Sequence, residues 1–586
     1  MKKISLFVLA LFISVLLSAV THSESFSVSD LQITQNERGY DVIQLNDLLN
    51  TTERGKPAGP VQYINMIIPC GMEVDSIIVN KQQQVVAGNF TVNPSPGPMI
   101  ISDLPSPAEP DSLIYNSSDI YPKESVEVIS HGYFDGANRI VSLALYPVQF
   151  KPAQHTLIFN NDINFTLVFT ESDPPDATPL YRLAKYEGIY DNALKSLVEN
   201  DNDVNIYQHH PEIIPTPREG DFDMLIIGKE EYELDFADFI EWKEKKGMKV
   251  KYIAYDTVNF NSNYQGDIWN SNPITDTAGK IRQCLKDYYE HHTTVYALIV
   301  GGTTDFDITP NSNDETLPIR YGICGSAGGN NNAWQILNLG WAPANNFYRI
   351  PADLYFSDFD GDYDVEGDPN NYYGETDDEI QKEPEIFVGR LLISEQEDLD
   401  NHEQIRRWTD KLITYETNPG YGDFNYLGNT ILFDGFYSST VSSTVYNHML
   451  DDILTNEFSF YSLIEPSHSP SYPTGTQTIE MMNNDFGFSH FYWHGAKYYI
   501  SNYVISEDKY HICSLDYYDD YFAPKPYNGF DNLIENGKYS FCYMVSCNAG
   551  SYDKSDGSEN EYNGNRISMA EAFTTYLKGK GGPAIV

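Results

Sequence analysis

The feature that most constrains this chain is a change of hydrophobic period near Asp221. Upstream, over residues 24–170, short runs such as Tyr63-Ile-Asn-Met-Ile-Ile68, Val126-Glu-Val-Ile129 and Ile140-Val-Ser-Leu-Ala-Leu145 are separated by Gly, Pro, Asn and Asp. Short alternating strands at this spacing predict an all-β sandwich. Residues 171–220 are polar and proline-rich, with one helical patch over 180–197, and are expected to form a linker or activation region. Downstream the pattern alternates between apolar strands (224–228, 249–255, 295–300) and amphipathic helices (235–246, 276–291). Ile281, Cys284, Leu285 and Tyr288 share one face of the second helix. This β-α-β-α-β order predicts a parallel sheet flanked by helices, with ligands bound where its strands end.

A second run of the same kind follows. Strands are expected over 385–388, 430–433, 487–493 and 539–545, and helices over 398–416, 442–455 and 569–578. The last helix opens with Ser568-Met-Ala-Glu571, a capping-box pattern. Residues 221–586 thus divide into subdomains of about 221–395 and 396–586. The chain stops at Pro583-Ala-Ile-Val586, inside what reads as another apolar strand, so a truncated C-terminus is expected.

With 586 residues, two or three domains are expected. Eighty-four acidic side chains against 37 Lys and Arg leave a formal charge of −47. Such a surface repels phosphate backbones and anionic headgroups, which excludes nucleic acid as a partner class. Lys2 and Lys3 precede an apolar run over 6–20 and then small or polar residues, the pattern of a secretory signal over 1–23 cut near Ser23. No later run approaches 18 apolar residues, so no membrane span is expected and the protein reads as secreted or cell-surface. Its six cysteines are too few for a disulfide scaffold, and none sits in a CxxC pair, which argues against a structural zinc site.

Two apolar strands each end in a reactive side chain. One closes on Tyr492-Trp493-His494-Gly495, the other on Val545-Ser546-Cys547-Asn548-Ala549-Gly550, and His494 and Cys547 are 53 residues apart. That distance suits adjacent parallel strands joined by a long crossover, which would deliver both side chains to one sheet edge. An imidazole there can take the thiol proton. Backbone N–H groups of Gly495 and Cys547 are placed to form an oxyanion hole.

This pairing resembles the caspase-like superfamily of cysteine peptidases, and more closely the gingipain family, peptidase family C25. Asp223-Met-Leu-Ile-Ile227, Trp242-Lys-Glu-Lys-Lys-Gly-Met-Lys-Val250, Tyr296-Ala-Leu-Ile-Val-Gly-Gly302, Phe387-Val-Gly-Arg-Leu391 and Ala570-Glu-Ala-Phe573 follow that family's order of motifs over roughly 221–586. Residues 25–170 are similar to its propeptide domain. The resemblance implies an α/β caspase-like catalytic domain behind an all-β sandwich prodomain that inhibits or chaperones it. It implies a bacterial extracellular endopeptidase acting on protein or peptide substrates through Cys547 and His494, without a catalytic cofactor. It also implies an acid that orients the histidine, which by order falls on Asp434; Asp434-Gly435 as a simple turn is the competing reading, and Asp485 and Asp531 are the other acids in range. Arginine-specific members carry an acid shortly after the orienting one; here 442–448 has none. Arg218 is nonetheless an attractive position for an activation cut.

Asp358-Phe-Asp-Gly-Asp-Tyr-Asp364, continuing through Glu366, Asp368 and Glu375, sets carboxylates at alternate positions. Asp358, Asp360, Asp362 and Asp364 are hard oxygen ligands at a density that suits a structural Ca²⁺, the alternative being a solvated acidic loop. Similar loops in the gingipain family bind calcium. Two other functions remain open: a sortase-like transpeptidase of a bacterial secretion system, which passes the acyl group to an amine, and a non-catalytic calcium-stabilised surface protein.

Overall fold

The structure, a computed structural model, describes residues 19–46, 48–96, 107–173, 177–301, 319–323, 349–365, 373, 378, 380, 383–393, 399–434, 459–464, 473–496, 499–501, 511–515, 528–546, 549–550 and 567–586. Ten strands form the N-terminal region: β1 (Ala19–Ser25), β2 (Leu31–Gln35), β3 (Asp41–Leu45), β4 (Leu49–Asn50), β5 (Pro60–Ile68), β6 (Met72–Val85), β7 (Val126–Phe134), β8 (Asn138–Leu145), β9 (Val148–Lys151) and β10 (Thr156–Glu171). They pair antiparallel in two main sheets, β1-β10-β6 with β9 alongside β10, and β4-β5-β8-β7, with β2-β3 as a separate pair. The period of two places Ile64, Met66 and Ile68 of β5 and Val141, Leu143 and Leu145 of β8 in one core with Ile163, Phe165 and Leu167 of β10. That core joins the two main sheets. The expected signal cut near Ser23 would split β1, whose seven residues pair with Val168 back to Asp162 of β10; residues 1–18 lie outside the described ones.

The stretch expected as a linker is instead packed structure. It carries β11 (Tyr181–Leu183), α1 (Ala184–Leu197), α2 (Asp201–Tyr207) and β12 (Glu212–Ile214), with β11 and β12 paired parallel. Tyr181, Leu183, Tyr186, Tyr190 and Leu194 share a core with Ile67, Phe134 and Ile140 of the N-terminal sheets and with Val295, Tyr296 and Phe387 of the following domain. Its tyrosines supply the apolar surface that a polar-looking sequence concealed. The tip beyond β12, residues 215–220, is exposed throughout.

The first parallel sheet has the order β14 (Val250–Ala254), β13 (Met224–Gly228), β15 (Tyr296–Val300) and β18 (Phe387–Leu391), all parallel. A short antiparallel pair, β16 (Tyr321–Ile323) and β17 (Arg349–Pro351), lies between β15 and β18 in sequence. Leu225, Ile227 and Ile299 meet Ile281, Cys284 and Leu285 of helix α4 (Thr277–His291) on one face. Ile226, Leu298 and Val300 meet Phe239 of α3 (Ala237–Lys245) and Ile405 and Trp408 of α5 (Asn401–Thr417) on the other. Burial on both faces explains why these strands are continuously apolar rather than alternating.

The second sheet has the order β20 (Ser459–Ile464), β19 (Asn429–Asp434), β21 (Phe488–Tyr492), β25 (Phe541–Val545) and β26 (Ala584–Ile585), again all parallel. Helix α6 (Gly475–Met482) precedes β21, closed at its start by a Thr474–Gln477 capping box. After β21 the chain makes a small antiparallel sheet, β22 (His494–Ala496), β23 (Tyr499–Ser501) and β24 (His511–Cys513). The expected helix over 442–455 lies outside the described residues. The expected final helix is shorter: Ser568 caps Met569–Glu571, and Ala572–Tyr576 winds as a π-turn.

Helix α5 joins the two sheets. Lys411 Nζ donates to the carbonyls of Phe573 and Thr574 at 3.0 and 2.9 Å, and Trp408 Nε1 donates to the Pro583 carbonyl at 3.0 Å. The π-turn frees those carbonyls, and the lysine answers them. Burial is the main cause that pulls the Lys411 ammonium down to about 7, with Arg407 adding to it. The unfolded chain then binds the proton more tightly between about pH 7 and the ordinary lysine value near 10.4, so this position's contribution to stability grows as pH rises across that window. The slope is bounded by about 1.4 kcal/mol per pH unit. In denaturant titrations at pH 7.5 and 9.5, Lys411→Met should flatten that rise relative to the parent chain; an unchanged slope would show that Lys411 is charged in the fold.

Candidate active site

The carboxyl edge of the second sheet is built by register. Asp434, Tyr492 and Val545 stand level on the adjacent strands β19, β21 and β25. Past that row the sequence continues from β21 through Trp493 to His494, the first residue of β22, and from β25 through Ser546 to Cys547. Each residue of the expected pair therefore follows, by two positions in sequence, a row shared by neighbouring parallel strands. Cys547 lies outside the described residues, as do the side chains of His494 and Asp434. Gly495 lies in β22, opposite Ile500.

Trp493 fixes where the histidine strand leaves the sheet. Its N–H donates to the Val545 carbonyl at 3.2 Å, tying the residue before His494 to the strand that leads to Cys547. Its indole is fully buried, edge-on to Phe433 at 5.6 Å and to Phe491 at 5.1 Å between ring centroids. The same core holds Ala549 and Met569, which follow Cys547 in the chain. Aromatic packing of this kind supplies large buried area with defined geometry. The indole N–H and the Ser546 hydroxyl are buried with no partner among the described residues. The sequence offered Trp493 only as one aromatic among many.

Three other thiols and one neighbouring imidazole are shifted away from the chemistry. Burial pushes the Cys284 thiol up to about 12 and the Cys542 thiol higher still, and Cys70 is also raised, chiefly by burial. A nucleophile must ionise near neutral pH, and these shifts run the other way. His490, four residues before His494, is buried inside the sheet, stacked on Tyr543 at 5.4 Å, and burial pulls it down to about 4. Asp485 precedes β21 at the opposite, amino edge of the sheet, where Lys538 holds it at 2.7 Å. Asp531 sits in the short turn Phe530–Asn532.

The acidic loop is divided. Asp358, Asp360 and Glu385 each offer a carboxylate oxygen within 4.8 Å of the others, and all three are buried. Asp358 organises the turn: its Oδ1 accepts the Gly361 N–H at 2.8 Å and its Oδ2 the Tyr363 hydroxyl at 3.0 Å. A Cβ on Gly361 would stand 2.3 Å from Asp358 Oδ2, so only glycine fits there. Both carboxylate oxygens of Asp360 and Oε1 of Glu385 are buried with no hydrogen-bond partner among the described residues. Burial and then Asp358 push Asp360 well above the usual carboxylate range, and burial and then Asp360 do the same to Glu385. Asp362 and Asp364, expected in this set, are not gathered into it. Asp362 accepts the N–H groups of Ser271 and Asp364, and Asp364 accepts the Asn272 side chain at 2.9 Å. Glu385 replaces them, from the foot of β18 and 25 residues beyond Asp360. Glu366, Asp368 and Glu375 lie outside the described residues.

Comparison with known proteins places these features in a family. The sequence model of peptidase family C25 matches residues 218–586, and that of the C25 propeptide matches residues 17–196. Gingipain R2 of Porphyromonas gingivalis is 22% identical over 302 residues, covering 49% of this chain and 36% of that protein. Lys-gingipain HG66 of the same organism is 21% identical over 493 residues, covering 81% of this chain and 23% of that protein. The chain thus spans well under half the length of these relatives. Among solved structures, a complex of Porphyromonas gingivalis RgpB pro- and mature domains overlaps 32% of this chain and 92% of that one, with 21% identity and a TM-score of 0.25. The matched span begins at the exposed tip before β13, contains both parallel sheets and runs to the last residue: this chain belongs to peptidase family C25 and carries the family's propeptide domain ahead of it.

Proposed function

We propose that this chain is the zymogen of a secreted cysteine endopeptidase with a caspase-like catalytic domain, in which Cys547 is the nucleophile and His494 the general base. The observation that carries this is the shared register row of Tyr492 and Val545, two residues ahead of each partner. His494 takes the Cys547 proton, and the sulfur attacks the scissile carbonyl. The oxyanion accepts hydrogen bonds from the Gly495 and Cys547 N–H groups, and the absence of a Cβ at 495 leaves room for the substrate. His494 then returns the proton to the leaving amine, giving a thioester. Water, deprotonated by His494, cleaves that thioester and restores the thiol. Asp434 closes the triad by holding the imidazole tautomer from the next strand. The prodomain would act as inhibitor or folding aid, and its core shared with Val295, Tyr296 and Phe387 supports a docked, latent state. The exposed loop 215–220, which contains Arg218, is the natural place for an activation cut. The stretch 442–448, which bears on side-chain preference, lies outside the described residues.

In the same reading, Asp360 and Glu385 with Asp358 hold a structural divalent cation, and calcium suits their hard oxygens. Charge supports this. Asp358, Asp360 and Glu385 are crowded together in a buried place, and burial with that crowding pushes Asp360 and Glu385 well above the usual carboxylate range, a strain a cation would relieve. The orphaned oxygens of Asp360 and Glu385 are the ones a cation would engage. Its effect there would be structural, holding the turn beneath the first sheet.

Peptide turnover by the processed protein tests the catalytic assignment. Cys547→Ala should lower kcat by about 10⁴-fold or more, and Asp434→Asn by about 10²- to 10⁴-fold, with circular dichroism unchanged. A Cys547→Ala protein that still cleaves at the parent rate would overturn it. For the cation, calorimetric titration of the full chain should show one calcium site lost in Asp360→Asn and retained in Asp362→Asn; equal binding in both would remove Asp360 from the ligand set.

A further inference from the structure

The three acids lie against the propeptide side of the molecule, and two tyrosines connect them to it. Tyr190, on α1 and ahead of the activation loop, donates its hydroxyl to the backbone carbonyl of Glu385 at 3.1 Å. Its ring is 2% exposed and lies under the Arg182 guanidinium at 3.7 Å. Arg182 is paired with Asp135, at the tip of the β7–β8 hairpin of the prodomain. Asp135 also accepts the hydroxyl of Tyr289 from α4 at 3.1 Å. Tyr289 in turn packs on Phe359, the residue between Asp358 and Asp360, with ring centroids 5.6 Å apart. The Phe359 N–H donates to Oε2 of Glu385 at 2.6 Å, which closes the circuit.

Resting on the cation reading of Asp358, Asp360 and Glu385, we infer that the propeptide is a wall of that site, so that cation and propeptide hold each other in place. Tyr190, Arg182 and Asp135 all precede the exposed loop 215–220, whereas Glu385, Phe359 and Tyr289 follow it. Departure of the propeptide after a cut in that loop takes Tyr190 away from the Glu385 carbonyl and uncovers the buried acids. A group that orients a ligand from behind typically changes metal affinity by about 10- to 100-fold. Linkage makes the effect reciprocal: whatever Tyr190 adds to cation binding, the cation adds to the docking of α1. In the latent protein the cation is sealed in, and activation converts a slowly exchanging site into an open one.

The test uses the full-length chain carrying Cys547→Ala, so that it stays uncut, and terbium as the probe. Terbium emission sensitised by the neighbouring aromatics reports occupancy, and excess chelator reports the release rate. Glu385→Gln should abolish or strongly weaken the signal. If the parent chain binds no terbium, or Glu385→Gln binds it equally well, the cation reading itself fails and the inference falls with it. With the site established, Tyr190→Phe should release terbium about tenfold faster. Tyr186→Phe, on the same helix but with a hydroxyl that has no hydrogen-bond partner among the described residues, should release it at the parent rate. Calcium should also slow amide exchange over 184–197 in the parent and less so in Tyr190→Phe. Equal release rates in the parent and Tyr190→Phe would overturn the coupling while leaving the cation site intact. Equal acceleration by both tyrosine variants would overturn it as well.

Discussion

The candidate active site depends on the parallel pairing of β21 with β25. Five residues on each strand are matched in sequence, and the Trp493 N–H extends the contact one step beyond the last matched pair. A slip of one residue would turn every side chain of one strand to the other face. Register here is protected by burial: Phe491 and Trp493 on one strand and Cys542 on the other share a core with Phe433, Ile500 and Phe573. Phe433 and Phe491 stack at 4.6 Å between adjacent strands, which resists sliding. The backbone at Trp493 and Val545, just ahead of His494 and Cys547 in sequence, is thus held in place by hydrophobic packing.

Charge is handled by the opposite rule. In a chain with a net charge of −47, a small group of acids sits buried beneath the first sheet with Arg282 fully buried among them. Arg282 pairs with Asp267, donates to the Asp358 and Gly361 carbonyls, and lies over the rings of Trp269, Tyr355 and Tyr363. Buried charges persist only when paired and hydrogen-bonded. Most of this network meets that condition, and Asp360 and Glu385 do not. The exception sits where α1 of the propeptide region touches the catalytic domain, so the electrostatic imbalance and the domain interface are one feature of the fold.

Much of this was legible in the sequence, because periodicity is a local signal. The strands at Met224, Tyr296, Phe387, Asn429, Phe488 and Phe541 and the helix at Thr277 begin within about two residues of their expected places, and the helix at Asn401 begins three residues late. Parallel pairing of the His494 and Cys547 strands also followed from their spacing. What stayed hidden was non-local. Residues 171–220 looked like a linker because they are polar and proline-rich, whereas Tyr181, Tyr186 and Tyr190 bury the surface that counts. Alternation in the acidic loop spread the expected ligands over Asp358 to Asp364. The turn at Gly361 instead sends Asp362 and Asp364 to the 271–272 backbone and side chain, and the third acid, Glu385, comes from another strand. A carboxylate beside the apolar run Ile386-Phe-Val-Gly389 was the one signal that could have found it.

The rate of Cys547 alkylation by iodoacetamide as a function of pH, in the processed protein and in His494→Ala, tests the central assignment most directly. A thiol paired with an imidazole ionises below the free value near 8.5. The account predicts a Cys547 alkylation profile whose midpoint lies at least one pH unit below that value and rises toward it in His494→Ala. A profile identical in both proteins and centred on the free thiol value would contradict it.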